Sequence, residues 1–278
     1  MTLQEPIRAD DLALVRSSAP ARRRTIREWP LGARIALGAV IPLALIGLWQ
    51  LIIVLDVVPA YRLPSPTAVF LAGVDLQNRG LLALHIAIST QRVLIGFAVG
   101  SVFGLVIASF VGLSRLGRYL ISPFLGGVRA IPSLAWVPLL GLYLGINEDS
   151  KVTLIAIGAF FPVYTVVSNA LRHTDPQLLE AGRAYGYTGV RLLGLVQLPA
   201  AVPAVVSGLR LALAQSWLFL VAGELLGASM GLGFLLTDSN NNGRIDRLFL
   251  TILLLGLLGI ITDALVGVLE RFLLKRWS

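Results

Sequence analysis

Ile35 to Leu55 is a run of twenty-one residues without a single charge. As a helix rising 1.5 Å per residue, it is long enough to cross the hydrocarbon core of a bilayer, about 30 Å thick. Five more apolar stretches follow, from about Ala83 to Gly112, Tyr119 to Leu144, Val152 to Leu171, Pro199 to Leu226 and Leu248 to Leu269. They lack the alternation of barrel strands and are too long for them, so they read as helices. Only 14% of the residues are charged, against about 25% in soluble domains. That is too little polar surface to cover a water-soluble globule of this size. The expectation is an all-α membrane protein with six transmembrane helices.

Arginine and lysine then orient the chain. Six crossings put both termini on one side. The tail before the first span, the loops after the second and fourth spans and the C-terminus together hold fifteen of these residues. The opposite face holds five: Arg62, Arg79, Lys151, Arg244 and Arg247. This bias predicts cytoplasmic termini. The net charge of +8 is thus a matter of topology and does not point to nucleic acid. Met1 to Arg34 is polar and rich in arginine, so no cleavable signal peptide is expected. The domain reading is a cytoplasmic tail over 1–34, a first transmembrane helix over 35–55, a periplasmic linker over 56–82 and a five-helix core over 83–278. Within the linker, Ser65 as cap and Pro66 at the first helical position predict a short surface helix to about Leu76.

Several chemistries are excluded or weakened. No lysine follows a glycine in a P-loop pattern, so the chain has no ATP site of its own. There is no cysteine, and His85 and His173 fall at opposite ends of the membrane region, so no metal site is expected. Asp238 to Asp246 partly resembles a calcium loop, but its twelfth position is Phe249, where a bidentate glutamate is needed. No catalytic set and no bound cofactor are expected.

The polar island between the fourth and fifth spans carries more information. Asp175-Pro176 looks like a helix start, and Gly186 is suited to end or turn a helix. The expected helix covers about 176–190, before re-entry at Leu198-Pro199. Physically it is either a lever gripped from outside the membrane or a helix lying at the bilayer interface.

At this point the sequence resembles a known family. Glu180-Ala181-Gly182, three residues, Gly186, nine residues and then Val196-Gln-Leu198-Pro199 is similar to the cytoplasmic loop of membrane subunits of bacterial ATP-binding-cassette importers. Glycine replaces the second alanine of that pattern, and valine replaces isoleucine. His85, Ser89, Arg92, Gly96, Arg129-Ala-Ile-Pro132, Pro138-Leu139, Phe160-Phe161-Pro162, Gly208-Leu209-Arg210, Gly231-Leu-Gly233 and Leu269-Glu270-Arg271 resemble the subgroup importing aliphatic sulfonates, taurine and nitrate. The resemblance implies a type I importer (MetI-like) permease core with one extra N-terminal helix, in the bacterial inner membrane. It implies a second permease subunit, two ATPase subunits that use ATP and Mg, and a periplasmic solute-binding protein. Glu180, Ala181, Gly182, Tyr185, Gly186, Leu198 and Pro199 would form the ATPase-coupling element. Nitrate, bicarbonate or a pyrimidine precursor are alternative solutes. A secondary transporter driven by an ion gradient is the alternative from another class, with Asp263 as its one candidate carboxylate.

Charges within spans cost on the order of 2.5–3.5 kcal/mol each on the lenient insertion scale, so each calls for a partner or a task. Arg129, Pro132, Trp136, Arg210 and Trp217 are candidates for a path taken by an anion, because the guanidinium fork matches oxyanions. Pairing is the competing role. Asp263 reaches the expected depth of Arg210, and Glu224 that of Arg92, so Arg92, Glu224 and Asp263 are read as structural charges.

Overall fold

The computed structural model describes residues 31–59 and 61–275, and every regular element among them is helical. Expectations about the tail before Leu31 and about Arg276 lie outside the described residues. The chain divides after Val57 into two units. The first unit contributes one described helix, α1 (Leu31–Val54). A lone apolar helix has no core of its own, and lipid is the solvent that suits its surface.

The second unit holds α2 (Pro66–Asn78), α3 (Leu81–Leu113), α4 (Arg115–Ala130), α5 (Trp136–Leu144), α6 (Glu148–Arg172), α7 (Pro176–Ala184), α8 (Gly189–Leu192), α9 (Leu198–Leu225), α10 (Leu232–Asn241) and α11 (Ile245–Lys275). The α2 start is as the sequence suggests: the Ala68 amide donates to Ser65 Oγ at 3.1 Å, with Pro66 at the first helical position.

The centre is the pair α3 and α6. Gly96, Gly100, Gly104, Ala108 and Gly112 recur every fourth residue of α3 and so lie in one stripe. Gly96 lies against Ile155, Gly100 against Ala156 and Ala159, Gly104 against Val163, and Gly112 against Leu171. A Cβ at Gly96 would come within 2.5 Å of Ile155 Cγ2, and one at Gly100 within 2.8 Å of the Ala159 methyl. These glycines let the backbones approach more closely than any larger residue allows. Both partner series ascend together, so α3 and α6 are parallel. The chain from Ser114 to Asn147 must therefore travel back along their length.

This return is the expected third span, Tyr119 to Leu144, and it is not one helix. It is α4 and α5 joined by a 3₁₀ turn at Ser133–Ala135. Ile131 is extended, at φ −69° and ψ 127°, because a residue before proline is disfavoured in the α region. Among the described residues, five helices are long and apolar enough to cross a membrane, α1, α3, α6, the α8–α9 run and α11. The broken pair supplies the sixth crossing.

The helix α9 packs antiparallel on the other face of α6, with Gly208 against Val166 and Gly158 against Phe219. Val163, Val167, Ala159, Ala201 and Ala212 form one fully buried cluster of this three-helix core, and Ile155, Leu154, Leu213, Trp217 and Leu220 form the other. The helix α11 runs along α9 and meets α2 at its start, where Arg247 bonds Asp75 at 2.9 Å. Asp238 to Asn241 belong to the end of α10, so the segment considered as a calcium loop is helical over its first four residues.

Candidate functional site

One end of the core carries the island. Asp175 caps α7 by accepting the Gln177 amide at 2.8 Å, and Pro176 follows. The helix stops at Ala184, short of the expected 190, in a Schellman closure. The Tyr187 amide donates to the Gly182 carbonyl at 3.0 Å, and the Gly186 amide to Arg183 at 2.9 Å. Gly186 has φ +81°, a conformation that costs a residue with a Cβ about 1–2 kcal/mol. The chain then runs through α8 into a π-helical turn, Leu193–Gln197. There the Leu198 amide reaches back to Leu193, just before Pro199, which has no amide hydrogen. Such wide turns are known at prolines and functional sites.

Gly182, the residue that departs from the family's alanine, is buried against the re-entry segment. A Cβ there would stand 2.7 Å from Leu192 Cδ1 and 3.0 Å from Val196 Cγ2. Glycine thus lets α7 pack closely on the α8–α9 approach. Glu180, Ala181 and Tyr185 remain exposed, Tyr185 to 82%. A groove of about 460 Å³ lies between α7 and the re-entry, lined by Ala181, Gly182, Tyr185, Val196 and Pro199 among others. The structure therefore gathers most of the residues expected to couple, Leu198 being half-buried in the core beside them.

The opposite end is a polar knot buried except at Glu148. Glu224 near the end of α9 is fully buried. Its carboxylate accepts Arg92 Nη1 at 2.5 Å, Ser89 Oγ at 2.8 Å and the Gly233 amide at 2.6 Å. Arg92 forms a second, two-pronged bond to Glu148 at the start of α6, both contacts at 2.6 Å, and donates to the Met230 carbonyl at 2.7 Å. Lys151 joins Glu148 at 3.3 Å. Ser89 also accepts the Leu232 amide at 2.8 Å, and His85 Nδ1 accepts that of Gly231 at 3.0 Å. The cluster has two cations and two anions, so the charges cancel. His85, Ser89 and Arg92 share one face of α3 at helical spacing. Arg92 and Glu224 pair as their depths suggest. Glu148 was not singled out in the sequence, because it looks like an ordinary acid in the first turn of a helix.

The middle of the core separates the remaining candidates. Arg210 faces α11, bonded to Asp263 through Nε at 2.9 Å and Nη2 at 2.6 Å and to Glu270 at 3.3 Å. Trp217, two turns along α9, donates to Thr262 Oγ1 at 3.0 Å and is buried. Leu211, Gln215 and Phe219 point to another side of α9, into a cavity of about 400 Å³ that also takes in Arg129 and Thr165. Arg129 is exposed and donates to Thr165 Oγ1 at 3.2 Å. Trp136 lines a second cavity of about 350 Å³, and Pro132 lies exposed in the break between α4 and α5. The five path candidates thus do not meet. Arg129 and Trp136 each line a cavity, whereas Arg210 and Trp217 are engaged by α11.

With this geometry in hand, known proteins supply the context. Residues 100–275 match the family of binding-protein-dependent transport system inner membrane components. The chain belongs to this family. A relative from Bacillus subtilis (strain 168), provisionally named an aliphatic sulfonates transport permease protein, is 38% identical over 86% of this chain and 86% of its own length. The taurine transport system permease protein of Escherichia coli (strain K12) is 28% identical over 90% of this chain and 92% of its own. A chain from the inward-facing MetNI methionine ABC transporter superposes with a TM-score of 0.57 at 23% identity, covering 68% of this chain and 93% of that one. That likeness concerns the fold, a MetI-like core. As a permease of this family, the chain is a membrane subunit of a binding-protein-dependent importer.

Proposed function

We propose that α7 and the turn after it transmit force from separate ATPase subunits to the permease core. The observation that carries this reading is the rooting of the exposed element. At one side it continues from α6, at the other it enters α9, and α6 and α9 pack along their length at the centre of the core. A displacement of α7 therefore moves both central helices together. Glu180, Ala181, Tyr185 and the neighbouring groove are the contact surface, Gly182 and Gly186 set the shape, and Leu198 with Pro199 fixes the re-entry.

In this account two copies of the chain form the membrane part, two ATPases bind ATP and Mg on the cytoplasmic side, and a periplasmic binding protein delivers solute. Both termini lie in the cytoplasm, as the arginine bias suggests. The solute is a small sulfonate, aliphatic or taurine-like, a choice that rests on the names of the relatives. A gradient-driven mechanism would need a free carboxylate at mid-membrane, and Asp263 is instead tied to Arg210 by two hydrogen bonds. Gly186→Asp tests the lever. The variant is expected to reach the membrane in normal amount while losing uptake and capture of the ATPase. Unchanged capture and uptake would refute the coupling role.

A further inference from the structure

The three arginines within the crossings differ in one respect. Arg92 meets two carboxylates, Glu224 and Glu148, and Arg210 meets two, Asp263 and Glu270. Arg129 has no carboxylate within 4.0 Å among the described residues, and its one recorded partner is a neutral hydroxyl. An uncompensated guanidinium in a membrane-crossing segment belongs to a water-filled path or to an anion. Arg129 also sits in the last turn of α4, just before the break at Pro132, so its backbone position is fixed by the break.

What surrounds it has two chemistries. The cavity at Arg129 carries the Thr165 hydroxyl and the Gln215 amide, which together with the guanidinium offer donors to a three-oxygen head group. The second cavity adjoins the first, since Ile157 and Phe161 line both. Its wall is Phe103, Trp136, Phe160 and Phe161, with Thr153 as its single hydroxyl. Each volume lies in the range of small-molecule sites, which combine apolar walls with a few placed polar groups.

We infer that these adjoining cavities form a transit site for an amphiphilic anion, with Arg129, Thr165 and Gln215 receiving the sulfonate and the aromatic wall at Trp136 receiving the alkyl chain. This rests on the importer reading above and adds to it the residues and the division of the solute. The guanidinium has no competing acid, so the head group finds a free charge. The head group is held by one full charge and neutral donors, which keeps release fast, as conduction requires.

The test uses the complete importer, permease with ATPase subunits and binding protein, in vesicles supplied with ATP. Ethanesulfonate and hexanesulfonate are the probes. Arg129→Gln is expected to lower the maximal uptake of both at least tenfold while the complex still assembles, and Arg129→Lys to recover a substantial part. Trp136→Ala is expected to lower hexanesulfonate uptake about fivefold relative to ethanesulfonate. Wild-type uptake by Arg129→Gln, or an equal effect of Trp136→Ala on both probes, would overturn the site. If Arg129→Lys assembles normally but recovers nothing, the charge is not what the solute uses, and the inference is overturned as well. If wild-type vesicles take up neither probe, the sulfonate reading itself fails and the transit site fails with it. Uptake by wild type that is lost only in the variants separates the two cases.

Discussion

The two ends of the core are built on opposite terms. At the knot, four charges, a serine, a histidine and three backbone amides satisfy one another around a carboxylate that water does not reach. At the island, the helix is polar, Tyr185 at its end is exposed, and Gly182 packs tightly against Leu192 and Val196. The first end is organised to keep α3, α6, α9 and the start of α10 in one arrangement. Under the proposed coupling role, the second is the end that a partner holds. Under the proposed mechanism, the first end is the clamp and the second the handle.

Breaking the clamp should have the largest effect. Glu224→Ala leaves Arg92 with a single carboxylate, Glu148, and strands the Ser89 and Gly233 donors in a buried site, at a cost of about 3–5 kcal/mol. The expected result is a large fall in folded protein, read by thermal aggregation of the detergent-extracted chain. The paired replacement Arg92→Met with Glu224→Leu should cost less than Glu224→Ala alone, because the buried guanidinium and carboxylate leave together and Lys151 keeps its pair with Glu148. A double variant worse than the sum of its parts would mean the knot does more than balance charge.

Next in size is the seam that joins the two ends. Gly100→Val forces a branched side chain into the Ala156 backbone and the Ala159 methyl, and should destabilise by about 1–3 kcal/mol. The same change at Gly126, which faces nothing within 4 Å, should be much milder in the same melting assay. At the handle, Gly186→Asp should cost only about 1–2 kcal/mol for its left-handed backbone, yet remove coupling altogether. Stability and transport therefore separate at this end and fall together at the other.

The smallest effect concerns the strap between α2 and α11. Burial pushes the Asp75 carboxyl up, but hydrogen bonds from Arg79 and Arg247 outweigh it and hold the group below its ordinary value. A lowered value means that the contribution is fully present above about pH 4 and is lost as the pH falls through the lowered value. The loss of melting temperature between pH 7 and pH 3 should be slightly smaller in Asp75→Asn than in the wild type.

Much of this was legible in the sequence, and the parts that were not share a cause. Ser65-Pro66, Asp175-Pro176 and Gly186 are local signals, set by capping and backbone sterics, and each lies where its chemistry requires. Arg92 with Glu224 and Arg210 with Asp263 could be matched by depth, since a charge in lipid has few options. Glu148 and Glu270 could not, because each looks like a normal acid near a helix end, where water satisfies it without a partner. The small-residue stripe from Gly96 to Gly112 was present in the sequence as a strict four-residue period. The stripe shows its purpose only against α6, where each glycine meets a residue of that helix. The break at Pro132 was signalled, but its consequence, a crossing made of two helices, follows from the parallel run of α3 and α6.

The most direct measurement uses the absence of cysteine in this chain. Tyr185→Cys introduces a single thiol at the exposed end of α7, and a maleimide that cannot cross the membrane reports its side and its cover. The account predicts labelling in inside-out vesicles only, and protection when the ATPase subunits are present. Labelling from the periplasmic face, or equal labelling with and without the ATPase, would contradict it.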